Sequence, residues 1–497
     1  MRIDCDPVPC TPKTFGIITA VGALVVLTAS LTIGFAPRAK ALPSFARQTG
    51  QPCGTCHTDF AGLTPYGRRF KIGGYTSGGG QYRTALFPSS DDSADSKEKK
   101  WVPPISMMAI VGFTHTEANQ LPPTAPYSTN NNTVVSPVSF FWGGAITDHI
   151  GAFAQLTYNA PPVGGYGNDP YGHTWTWDNT DIRYADSASI GMFNVTYGLT
   201  ANNGPTVQDP WNTTPAWAFP YASSTVAPAP GSHTIIDGTF AAHVGSVGAY
   251  AYINDVLYIE ASVYRTLDFR TQNDLGTDPF NAPGLFDVAP YWRVAFEPNW
   301  GRHWFEVGTF GMLANIHPWS AGPPPAGSPT PIGPITTGTF PQTDKYSDIG
   351  LDSQYQYQGD NFWLTLRGSY IHEYQILDAS FLNGAASNPT DELNEARAYV
   401  SLAYGNDNRI VLTGQYFNIW GTPDPLVYGA NASGFSPNSE GYIAEIAYIP
   451  FISSVAPGWP WFNARVGLQY TWYERFDGTT LGAAANNTLF LYLWMAM

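Results

Sequence analysis

Cys53-Gly54-Thr55-Cys56-His57 concentrates the chemistry of this 497-residue chain. The C-x-x-C-H spacing is the attachment site of a c-type haem. Each thiol can add to a haem vinyl group, and the adjacent imidazole then sits where it can bind the iron. Attachment of this kind retains the group even in a small, poorly packed domain. The same residues also fit a redox dithiol or half of a zinc site. A closed zinc site needs four ligands, and no cysteine follows Cys56. A redox dithiol does not require His57. The expected cofactor is one covalently bound haem c, held by Cys53 and Cys56 with His57 as proximal ligand.

The distal ligand is left open by the sequence. Methionine opposite histidine raises the reduction potential, and Met107 and Met108 are the nearest methionines after the motif. Side-chain alternation sends Met108 inward with Ser106 and Thr114, and Met107 outward. His115, His149, His243, His303 and Met312 are the other candidates. Arg68 and Arg69, with Lys71 beside them, form a basic cluster. The guanidinium fork matches a carboxylate, so these residues are candidates for the haem propionates. A solvated basic face accounts for them equally well.

These residues need a scaffold, and the rest of the chain indicates its kind. Residues 1–41 read as a secretory signal. Lys13 supplies charge, Phe15 to Phe35 is an apolar and small-residue stretch, and Ala39-Lys40-Ala41 resembles an A-x-A cleavage site. Export places the motif where c-type haem is attached. Cys5 and Cys10 leave with the signal. The formal charge is −15, and removing Arg2, Lys13, Arg38, Lys40, Asp4 and Asp6 shifts it to −17. That disfavours nucleic acid as a partner. Charged residues make up 12% of the chain, against about 25% in ordinary soluble domains. Aromatics make up 15%, yet beyond the signal no apolar run approaches the ~20 residues of a spanning helix. An exported, aromatic-rich, charge-poor chain of this kind suggests a transmembrane β-barrel.

Residues 42–100 read as a small haem domain and its linker. The domain holds the motif, the basic cluster and glycine-rich Gly73 to Gly80, and the polar run Ser89 to Lys100 reads as the linker. Its core is too small to be stable alone. From Trp101 onward the pattern has period two, as in Ile105, Met107, Ala109, Val111 and Phe113. Tight turns are expected near 147–149, 187–188, 254–255, 298–301, 359–360, 405–408 and 451–460. Between them run long Pro-, Gly-, Asn-, Ser- and Thr-rich segments near 117–133, 159–176, 201–234, 267–287, 315–345, 377–393, 421–440 and 476–486. Short turns alternating with long loops are the asymmetry of outer-membrane barrels. The expected fold is therefore all-β: a 16-stranded transmembrane outer-membrane β-barrel over 101–497, with the small N-terminal c-type haem domain plugging its lumen. Both termini are then periplasmic, the long loops extracellular, and the outer wall in contact with outer-membrane lipid. Tyr and Trp near strand ends suit the two membrane interfaces. Acidic residues such as Asp274, Asp278, Asp344 and Asp348 are expected in loops, where they attract cations.

Leu42-Pro43-Ser44-Phe45-Ala46-Arg47-Gln48-Thr49-Gly50, the motif itself, and Leu63 to Tyr75 resemble the fused monohaem cytochrome c–porin family of bacterial outer-membrane iron oxidases. The resemblance implies oxidation of extracellular Fe(II) and transfer of electrons across the outer membrane to periplasmic carriers, a cytochrome c or a copper protein. It is firmer on architecture than on substrate. The alternative is an outer-membrane porin or diffusion channel with an accessory haem, or a conduit for another extracellular donor.

Overall fold

The computed structural model describes residues 42–87, 99–120, 127–158, 175–277, 283–317, 343–405, 408–429 and 435–497. The expected secretory signal, most of the linker, and Asp278 lie outside these residues.

Period-two sequence becomes one antiparallel sheet. Its strands are β1 (Ile105–Thr116), β2 (Asn132–Ala145), β3 (Ile150–Tyr158), β4 (Trp175–Ile190), β5 (Phe193–Asn202), β6 (Val244–Ile253), β7 (Leu257–Thr266) and β8 (Ala289–Phe296). They continue as β9 (His303–His317), β10 (Asp344–Gln358), β11 (Phe362–Ile376), β12 (Thr390–Tyr404), β13 (Ile410–Gly421), β14 (Ser439–Tyr448), β15 (Asn463–Arg475) and β16 (Thr488–Ala496). Two dipeptide pairings, Gly284–Leu285 and Asn299–Trp300, complete the sheet. β1 pairs with β2 on one side and with β16 on the other, so the sheet closes into a 16-strand barrel. Closure removes the free edges that hydrocarbon does not tolerate.

The wall is inverted relative to a water-soluble protein. On β10, Asp344, Asp348, Asp352, Gln354 and Gln356 are buried inside, while Ile349 and Leu351 face outward, 51% and 55% exposed. Val247, Val307, Val400, Leu412 and Ile446 are likewise outward and exposed. This is the apolar-out, polar-in alternation of a barrel solvated by lipid. Aromatic side chains gather at both rims. Trp300, Tyr404 and Tyr448 stand by the short turns, and Trp175 and Tyr374 by the long connections.

Short and long connections alternate as expected. One turn is displaced. Ser187 and Ala188 lie within the β4–β5 ladder, paired with Thr196 and Val195. The chain reverses at Gly191-Met192, where Gly191 takes a φ of 63° that a side chain would resist. The small residues that read as a turn are accommodated in the strand instead. Asp344 and Asp348 also differ from expectation. Both belong to β10 and point inward, because their alternation places them with Asp352 and Gln354. Asp344 accepts the N–H groups of Ala379 (2.9 Å) and Ser380 (3.0 Å).

Two segments fill part of the lumen. Residues 42–87 carry α1 (Pro43–Thr49), α2 (Cys53–Cys56) and α3 (Pro65–Ile72), and they bond to inward wall residues. Arg68 meets Glu297 (2.9 Å) and Gln356 (2.7 Å), Tyr75 donates to Asp181 (2.7 Å), and Arg47 donates to the Ile105 carbonyl (2.6 Å). Arg465 on β15 donates to both Asp59 and Glu445. The second segment, 203–243, turns back inside. Arg293 holds Asp209 (3.3 Å), Glu306 (3.0 Å) and Asp352 (2.5 Å). Further along, Glu395, Glu373 and Asp348 accept the successive backbone N–H groups of Thr234, Ile235 and Ile236. A polar or charged group buried in this setting needs hydrogen-bonding or charged partners, and each of these side chains has at least one.

Candidate functional site

The C-x-x-C-H run forms a single helical turn, α2, closed by the His57 N–H on the Cys53 carbonyl at 2.9 Å. α3 packs directly on it. The Thr64 side chain caps α3 by accepting from the Gly67 N–H (3.2 Å) and donates to the Thr55 carbonyl (2.5 Å). The Thr64 N–H donates to the Cys56 carbonyl at 2.9 Å. At Gly67 the backbones approach so closely that a Cβ would stand 2.3 Å from the Cys56 carbonyl oxygen. The motif and the helix after it therefore form one unit.

That unit faces a cavity of about 350 Å³, within the size range of small-molecule sites, bordered by Cys53, Cys56, His57, Phe60, Met108 and Trp494 among others. The lining is predominantly hydrocarbon, aromatic and sulfur. Both thiols are free and half-buried. Burial pushes Cys53 up to about 11 and Cys56 up to about 12. Burial, opposed by the Gly62 backbone, lowers His57 to about 4. The imidazole is thus neutral, the form that ligates metals. Its Nδ1 is shielded from solvent and has no hydrogen-bond partner, as is the Trp494 indole nitrogen on the cavity wall. These orphaned atoms, the two thiols and the apolar lining fit a flat, covalently attached haem.

The other candidates separate clearly. Met108 borders the cavity, and so does Met107. Met107, expected to face lipid, is half-buried near the start of β1, paired with Phe140 on β2 and exchanging backbone bonds with Met497, and it borders the cavity as well. Arg68 and Arg69 are not brought to the cavity. Arg68 is spent on Glu297 and Gln356, and Arg69 is exposed beside Asp255 at 3.4 Å. Lys71, one helical turn on, does border it. His115 bonds Asn131, His243 bonds Gln272, His303 bonds Tyr355, and His149 lies beside Asp186. Met312 is fully buried in a separate core. Asp274 is exposed beside Arg270 at 3.6 Å. Among the described residues no cluster of His, Cys, Asp and Glu could hold a metal ion.

Sequence reasoning missed Trp217 and Trp494, which wall the cavity, and the Arg465–Asp59 contact beneath it. The available signal was lone arginines at inward strand positions, such as Arg293 and Arg465. Such residues demand an acidic partner, and strand neighbours do not supply every one.

No protein-family model and no curated relative matches this chain. Solved structures similar to it include Salmonella typhi OmpF in complex with daunomycin, at 13% identity and a TM-score of 0.42, covering 79% of this chain and 97% of that one. Pseudomonas putida OprB at high pH gives 11% identity and a TM-score of 0.41, covering 79% and 92%. An anion-selective porin from Comamonas acidovorans gives 10% identity and a TM-score of 0.39, covering 79% and 98%.

Proposed function

We propose that this chain is an outer-membrane β-barrel that carries one c-type haem at the Cys53–His57 cavity and serves as a one-electron conduit. The observation that carries the proposal is the convergence of Cys53, Cys56, His57 and Met108 on one apolar cavity inside the lumen. Cys53 and Cys56 would hold the group through thioethers, and His57, with Met108 as a further candidate, would ligate its iron. When bound, the haem supplies a one-electron acceptor and donor. Phe60 and Trp494 exclude water around it, and the packing of α3 on α2 fixes the ligand's orientation. Extracellular Fe(II) is proposed as donor on the resemblance of residues 42–75 to the iron-oxidising cytochrome–porin family. Overall, Fe(II) outside becomes Fe(III), and a periplasmic cytochrome or copper protein gains the electron. The lipid-facing wall supports an outer-membrane setting, with the start of β1 and the end of β16 at the short-turn side.

A diffusion channel with an accessory group is the second reading. Spaces of about 420 and 560 Å³ remain beside segment 219–237 inside the wall, and these favour it. Two measurements on the purified full chain separate the readings. A denaturing gel stained for haem peroxidase should show haem that survives denaturation, and bilayer recordings should show low conductance. A chain without bound haem but with a large steady conductance is a porin.

A further inference from the structure

Lys71 is a buried cation of this lumen that no described carboxylate touches; Arg47 is another, but it donates to the Ile105 carbonyl away from the cavity, whereas Lys71 borders it. Arg68, Arg183, Arg293, Arg397 and Arg465 each touch a carboxylate. Lys71, only 5% exposed, touches none among the described residues. Its ammonium donates to the Val207 carbonyl at 2.8 Å and to Asn212 Oδ1 at 3.1 Å, and it lies 4.8 Å from the centre of the Trp217 ring. All three partners are neutral. Asp181, Asp209 and Glu260 act on it through space, but Arg183 and Arg293 already hold the first two, and Glu260 accepts from Gln208, Tyr258 and Ser262. Two of its three N–H groups are accounted for. A buried ammonium without an anion costs several kcal/mol on the scale of such desolvation, and Lys71, Asn212 and Trp217 all border the cavity.

We propose that Lys71 is the anion anchor of the cavity, and that the anion it takes is a carboxylate of the group bound there. On the haem reading that carboxylate is a propionate. The inference rests on that reading, and of the three basic candidates it keeps Lys71 and sets aside Arg68 and Arg69. The ammonium is the donor and the carboxylate the acceptor, with no bond made or broken. Lys71 is a positioning residue: it fixes which way the propionate edge points while Cys53 and Cys56 hold the opposite edge. Its charge also favours the reduced state of the group, which carries one positive charge fewer.

The test is Lys71→Met in the full chain, with Lys71→Arg as the conservative partner. Covalent haem should persist in both on a peroxidase-stained gel. In Lys71→Met the ratio of reduced to oxidised haem at a fixed ambient potential should fall about tenfold, the order of one unit charge acting over roughly 10 Å at an effective dielectric of about 20. The potential should also become pH-dependent as the freed propionate titrates. Lys71→Arg should restore both. An unchanged potential and pH profile in Lys71→Met would overturn the inference and leave the haem assignment standing. Absence of haem from the wild type would instead sink the assignment itself. Should Lys71→Met not assemble, redox-difference infrared spectra of the wild type decide the matter. A propionate carboxylate band must respond to isotopic labelling of lysine, and a band that does not respond overturns the inference.

Discussion

Removing Arg465 should loosen the N-terminal segment without opening the barrel. Its side chain is fully buried and donates from one terminal nitrogen to Asp59 and from the other to Glu445. Arg465→Met leaves both carboxylates buried. Glu445 keeps the Gln469 amide at 2.9 Å, and Asp59 keeps only the Phe60 N–H at 2.8 Å. Breaking a buried pair in this way costs about 3–5 kcal/mol. The barrel does not relieve that cost by unfolding, because β15 is laddered to β14 and β16 along its length. Moving Asp59 into water does relieve it. The population with residues 42–87 released should rise by about two to four orders of magnitude. Hydrogen exchange reads this directly. Amides of α3 should exchange faster in Arg465→Met while those of β15 do not. Brief high-conductance events should appear in bilayer recordings. The triple variant Asp59→Leu, Glu445→Gln, Arg465→Met removes every charge of the cluster and should recover much of the protection, since replacing all the members of such a cluster is far milder than orphaning one. Unchanged α3 exchange in Arg465→Met would refute the reasoning. So would a triple variant looser than the single one.

Other consequences are as direct. Serine at both Cys53 and Cys56 should abolish haem staining after denaturation, and full staining would remove the attachment site from consideration. Gly67→Ala drives a methyl into the Cys56 carbonyl, so the motif and α3 must part at a cost of about 1–3 kcal/mol. Thermal release of residues 42–87 should come earlier, and an unaltered melting profile would contradict the close approach. In the haem-free cysteine variant, burial lowers Lys71 from 10.5 to about 7. Between those values the unfolded state holds the proton and the folded state does not, so docking should tighten as pH rises from about 7 to about 10.5. Exchange protection of α3, corrected for the intrinsic rate, should rise across that window, and a flat or falling trend would contradict it. Protease added to intact cells should cut in the 476–487 connection and spare Asn254-Asp255. The reverse pattern would invert the barrel.

The wall was legible in the sequence because lipid on one side and a polar lumen on the other impose strict alternation, and turn chemistry marks where each strand ends. The failure at 187–188 shows the limit. Ser187, Ala188 and Ser189 are small enough for a turn and equally at home in a ladder, and Gly191 alone decides. The motif Cys53–His57 was legible because its chemistry is covalent and local. The interior was not. Segment 203–243 has the proline, glycine and asparagine content of an outside loop, yet Trp211 is completely buried there beneath Arg293. Its inward course depends on carboxylate partners contributed by distant strands. The same holds for Arg68, whose partner Glu297 is contributed by the turn between β8 and β9. Partners so far apart in sequence leave no local signature, so Arg68 and Lys71 look alike in sequence and differ entirely in what they face.

The most direct test of the conduit uses sealed proteoliposomes with the long loops outward and a one-electron acceptor trapped inside. Ferrous iron added outside should give the visible spectrum of reduced c-type haem and then reduce the trapped acceptor, while iron stays outside. His57→Ala should keep thioether-bound haem and lose both responses. If the wild-type haem is reduced by dithionite but the acceptor remains oxidised under ferrous iron, or if iron itself enters the vesicles, the account of this barrel as an electron conduit is wrong.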